Sequence, residues 1–139
     1  MVAGAHLQIV RAELEGFFRS YAAAYDEGDA NAVARHISAP SLLIERTTTL
    51  WATEADVLAA MERLLAFYRA NGFRSASCVL KRLVEQGADH AVVDVLWTIE
   101  RRTDAAPWSF RTGYNLRRID GSWRIVACTA YEEMAARAG

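Results

Sequence analysis

The chain has 139 residues, of which 53% are hydrophobic and 24% charged, and its formal net charge is −1. That length predicts one domain, residues 1–139, able to bury roughly two thirds of its unfolded surface without a disulfide or metal staple. The charges are interspersed and nearly balanced, which excludes the electrostatic footprint of a nucleic-acid binder or of a protein held on an anionic membrane, and no stretch has the length of a transmembrane span.

Met1 to Val10 has neither a basic start nor a long apolar run, so no signal peptide is expected. A long amphipathic helix is predicted over His6–Glu27, where Leu7, Val10, Leu14, Phe17, Phe18, Tyr21, Ala24 and Tyr25 recur at three- and four-residue steps. Gly28 ends it, and Asp29 caps a short second helix carrying Val33 and Ile37, which Pro40 stops. Ser41–Thr48 reads as a first strand. Thr53 opens a third helix, with Asp56 at the capping-box position and an apolar stripe of Val57, Leu58, Met61, Leu64, Leu65 and Tyr68.

After Asn71-Gly72 the period changes from 3.6 to 2. Strands are predicted over Phe73–Glu85, His90–Thr103, Trp108–Ile119 and Ser122–Tyr131, with Asp120-Gly121 as a two-residue hairpin signal and Glu132–Gly139 as a frayed tail. Cys78 and Cys128 fall in separate strands and read as free thiols of a reducing cytoplasm. Helices followed by hairpin-linked strands give an α+β fold: three N-terminal helices packed into a strongly curved antiparallel sheet. Strands this long must twist and bend, which leaves a conical pocket under the helices.

Two motifs, about ninety residues apart, carry a resemblance that spans the chain. Tyr25-Asp26-Glu27-Gly28-Asp29 is similar to the helix-end "xxxGD" signature of the nuclear transport factor 2-like superfamily, with its cystatin-like cone. Arg118-Ile119-Asp120-Gly121-Ser122-Trp123-Arg124-Ile125 is similar to its "R-x-D-G-x-W-R-I" hairpin. That superfamily holds ketosteroid isomerases, dehydratases and polyketide cyclases as well as non-enzymatic hubs.

The resemblance to ketosteroid isomerases implies a site. Counted from the two motifs, Tyr21 falls at the position of the oxyanion-binding tyrosine, Glu45 at that of the carboxylate base and Asn115 at that of the second oxyanion donor. The base is a glutamate where those enzymes have an aspartate, and the donor an amide where they have a protonated acid. Asn115 is ambiguous on the residues themselves. Trp108, Phe110, Tyr114 and Leu116 alternate with Ser109, Arg111, Gly113, Asn115 and Arg117. If the apolar set faces the pocket, Tyr114 lines it and Asn115 points away; if the apolar set forms a dimer face, or a bulge shifts the count, the reverse holds.

Trp97 and Trp51 are further candidate pocket walls. His6, His36 and His90 lack metal-ligand spacing, and no phosphate loop or nucleophile elbow is present, so no metal or cofactor is expected. Three functions follow as expectations. The chain is a cofactor-independent isomerase, dehydratase or cyclase acting on a small apolar or cyclic molecule, a non-catalytic binding domain for such a molecule, or an association module. Relatives pair through the convex face of the sheet, which implies a homodimer.

Overall fold

The computed structural model describes residues 3–138, with side chains from His6 onward. Helix α1 (Ala3–Glu27) buries the predicted stripe, with Val10, Leu14 and Phe18 fully enclosed. Asp29 caps α2 (Ala30–Ala34) by accepting the Ala32 amide at 3.1 Å. Helix α3 (Glu54–Ala70) begins with the expected capping box, Thr53 and Asp56 exchanging bonds at 3.2 Å, and buries Val57, Met61, Leu65 and Tyr68.

The strands are β1 (Ile37–Ile44), β2 (Thr48–Trp51), β3 (Phe73–Gln86), β4 (His90–Arg101), β5 (Trp108–Ile119) and β6 (Ser122–Thr129). They form one sheet in the order β2-β1-β6-β5-β4-β3. The fold is α+β, with helices packed on one face of a curved, unclosed sheet. Asp120 and Gly121 both have positive φ, 50° and 80°, the backbone a tight type I′ hairpin needs between β5 and β6.

Four details differ from the sequence reading. The joint between β1 and β6 is parallel, whereas the other four pairings are antiparallel. Pro40 does not end a helix: α2 stops at Ala34, Ile37 already pairs with Ile125, and Pro40 lies inside β1, where the ladder shifts register and no amide is required of it. Thr48–Trp51 forms an extra strand, β2, hairpinned back onto β1. The tail is a six-residue fourth helix, α4 (Glu133–Ala138), packed against β5.

Three contacts fix α1 across the sheet. The Asp26 carboxylate accepts the Ala76 amide of β3 at 2.7 Å, His6 meets Glu85 at 2.8 Å, and Arg118 of β5 pairs with Glu13 at 3.1 Å. The space between α1, α3, α4 and the inner sheet face remains open as a cavity.

Candidate small-molecule site

The cavity follows from the parity of the strands. On β5 the pairing with β4 runs without a register shift, so Trp108, Phe110, Thr112, Tyr114 and Leu116 all turn inward and are buried. The bulge lies on β6: Asn115 pairs with Ala127 and Leu116 with Ile125, leaving Val126 as the extra residue. Across the sheet, Thr49, Leu43, Cys128 and Tyr114 stand side by side on the inner face.

These side chains and those of α1, α3 and α4 enclose a volume of about 360 Å³, within the range of about 300–1,000 Å³ usual for small-molecule sites. Its walls are aromatic. Tyr21 packs edge-on against Trp97 (5.8 Å between centroids) and Tyr114 (6.2 Å), and Tyr25 stands 6.0 Å from Tyr68. Such ring pairs stiffen a wall and present both flat faces and positive edges to a guest.

Hydroxyl groups punctuate this apolar lining. The indole Nε1–H of Trp97 donates to Tyr114 Oη at 2.8 Å, so the tyrosine's own proton remains to be given elsewhere. Tyr21 and Tyr25 share a hydrogen bond of 3.2 Å, in which one hydroxyl donates and the other keeps its proton free. Burial raises the pKa of all four tyrosines, Tyr21, Tyr25, Tyr68 and Tyr114, above the usual tyrosine range, so they act here as donors and not as bases. The Cys128 thiol, also on the lining, is pushed up to about 12 by burial and by the nearby carboxylates of Glu133 and Glu45.

Two carboxylates reach the cavity. Glu45 sits just beyond β1, in the bend to β2, inward by parity and exposed at the rim. Glu133, the first residue of α4, is more enclosed, its side chain 15% exposed. Its Oε2 accepts the Tyr68 hydroxyl at 2.8 Å and also pairs with Arg137, one turn along α4. The Arg137 guanidinium lies over the Phe67 ring at 4.4 Å.

The structure therefore brings Tyr21, Glu45, Trp97, Tyr114 and Trp51 to one cavity and does not bring Asn115 to it. Asn115 is exposed on the outer face, because β5 keeps strict alternation from Trp108 through Leu116. The arrangement of Tyr21, Glu45 and Asn115 expected from the resemblance is not assembled. The aromatic residues of β5 are interior, so they do not form an association surface either. Sequence reasoning missed Glu133 and Arg137. Their i, i+4 spacing was the available signal, hidden in a segment too short to show helical periodicity. Among the described residues, no three His, Cys, Asp or Glu side chains converge as a metal site, and no helix is long and apolar enough to cross a membrane.

The model of one protein family, described as NTF2-like protein (DUF6841), matches residues 12–133. No curated protein matches the chain. Among solved structures, an NTF-2 like protein of unknown function from Shewanella oneidensis superposes with a TM-score of 0.72 at 16% identity, over 87% of this chain and 98% of that one. A ketosteroid isomerase-like protein from Erwinia carotovora atroseptica gives 0.65 at 17%, over 86% and 93%. An NTF2-like protein with a cystatin-like fold from Novosphingobium aromaticivorans gives 0.68 at 19%, over 97% and 92%. At these identities the likeness is one of fold.

Proposed function

The chain belongs to the family of NTF2-like proteins (DUF6841), and from the geometry of its cavity we propose that it binds a small, uncharged, ring-bearing molecule. The observation that carries this reading is the aromatic cavity of about 360 Å³ with free hydroxyl donors on its wall. An apolar ring fits between Tyr21, Trp97 and Tyr114, and a carbonyl or hydroxyl oxygen on it meets a waiting O–H. The charged residues of the lining are Glu45 and Glu133 against Arg63 and Arg137, a neutral balance that favours an uncharged guest over an anion. The test is calorimetric titration with 2-tetralone and 2-naphthol beside 2-naphthoate. The neutral rings bind and the carboxylate binds at least tenfold more weakly.

A second reading, proton-transfer catalysis of the isomerase, dehydratase or cyclase kind, is favoured by Glu45 and Tyr21 lining the same cavity. A carboxylate and a hydroxyl donor are the groups such chemistry needs. In this reading the wild type interconverts β,γ- and α,β-unsaturated cyclic ketones, and Glu45→Gln lowers the rate about 100-fold or more without altering thermal unfolding. Binding without turnover leaves the first reading alone in place.

The proposal further pairs two copies through the outer sheet face. Leu50, Leu42, Ala127, Val92 and Val84 form an apolar row across it, broken only by Asn115 on β5. Leu50 and Val84 are exposed at 60% and 41%, which favours a partner for this face. The free thiols Cys78 and Cys128 agree with a reducing cytoplasm as its setting.

A further inference from the structure

Two residues with small hydroxyl side chains, Ser41 and Thr112, are buried as deeply as the apolar core. Ser41 Oγ is sealed off and does not border the cavity. Thr112 does border it, from the middle of the inward row of β5. Its side chain is flanked along the strand by Phe110 and Tyr114 and stands opposite Val95 of β4. No hydrogen bond among the described residues uses the Thr112 hydroxyl, yet that hydroxyl is not among the polar atoms sealed without a partner. The residue is 2% exposed, and the surface it keeps faces the cavity.

Burying a hydroxyl among apolar neighbours is unfavourable unless a partner meets it. A valine has the same shape and suits an inward strand position at least as well. With no partner in the chain, the Thr112 hydroxyl is left to whatever occupies the cavity. Its surroundings decide what fits. The Tyr114 hydroxyl accepts from Trp97 and keeps its own proton to give. Cys128, opposite Tyr114 on β6, carries a thiol that burial keeps protonated. This part of the lining therefore offers protons, and the matching atom on a guest is an acceptor oxygen.

We propose that Thr112 is the specificity-determining residue of the cavity, its hydroxyl donating to an acceptor oxygen on a ring-bearing guest, so that oxygenated rings are held in preference to hydrocarbons of the same shape. The inference rests on the small-molecule reading of the cavity and adds to it the residue that selects the guest.

The test compares 2-tetralone with tetralin, which has the same rings and lacks the oxygen, by calorimetric titration. The wild type is expected to bind 2-tetralone more tightly. Thr112→Val is expected to lower the ratio of the two affinities about fivefold, the worth of one neutral hydrogen bond, while tetralin binds as before or better. Thr112→Ser keeps the hydroxyl and is expected to keep the ratio. Thermal unfolding of the unliganded proteins gives a second readout, because a hydroxyl without a partner in the chain adds nothing to the fold. Thr112→Val is therefore expected to unfold at the wild-type temperature or above it. A ratio preserved in Thr112→Val, a wild type with no preference for 2-tetralone, or a valine variant that unfolds at a clearly lower temperature overturns the assignment while the cavity reading stands. If neither compound binds the wild type, the cavity reading itself fails and this assignment with it.

Discussion

Tyr114 and Asn115 are neighbours in sequence and stand on opposite sides of one sheet. Which of them faces the cavity was open from the residues alone, because alternation fixes relative but not absolute parity. In the structure Tyr114 is buried on the cavity wall and Asn115 is exposed on the other face. The consequence is measurable. Tyr114→Phe removes the hydroxyl that accepts from the Trp97 indole and is expected to cost about 1–3 kcal/mol in urea unfolding, whereas Asn115→Ala stays within about 0.5 kcal/mol. His36 gives a second residue-scale prediction. Its Nδ1–H donates to the Ala32 carbonyl at 2.8 Å, so Nε2 accepts from Ser20 at 3.0 Å, and burial, with Arg124 and Arg35 nearby, lowers its pKa. A depressed histidine pKa means that the unfolded chain binds the proton first. The stability it contributes is present above the unfolded value of about 6.5 and is lost as the pH falls through the folded value. Urea unfolding at pH 7.5 and 5.5 is expected to show a smaller loss in His36→Gln than in the wild type.

At the scale of elements, what the sequence made legible is what local chemistry specifies strongly. The Thr53–Asp56 box, the Asp29 cap and the Asp120-Gly121 turn each appear where the residues demanded them. The stripe of α1 was legible for the same reason, since Val10 through Tyr25 repeats over several turns. The elements that were missed are those whose partners lie far away in sequence. Strand β2 has four residues and gains its pairing only from β1, and the N-terminal end of β1 is drawn into the sheet by Ile125 despite Pro40. Helix α4 is too short to stand alone and exists by packing on β5. The candidate site divides along the same line. Tyr21, Trp97 and Tyr114 were readable from periodicity and resemblance, while Glu133 and Arg137 sit on the element that only tertiary contact creates. Removing α4 by ending the chain at Tyr131 is therefore expected to leave a folded domain, seen by unchanged far-ultraviolet dichroism per residue outside the helix, that binds 2-naphthol at least tenfold more weakly by calorimetry.

At the scale of the molecule, the sheet has two faces of different character. The inner face carries the rings and hydroxyls of the cavity, and the outer face carries the row from Leu50 to Val84. The proposed pairing through the outer face predicts a dimer in sedimentation at micromolar concentration, and Val92→Lys, in the middle of that row, converts it to a monomer with its cavity intact. The inner face carries the central claim, that this fold is kept open to hold an uncharged ring. The most direct measurement is calorimetric titration of 2-naphthol into the wild type and into Leu64→Trp, whose larger side chain on the half-buried lining of α3 fills the cavity. The account predicts saturable one-site binding to the wild type and its loss in the variant. Equal binding by both proteins, or none by the wild type, contradicts it.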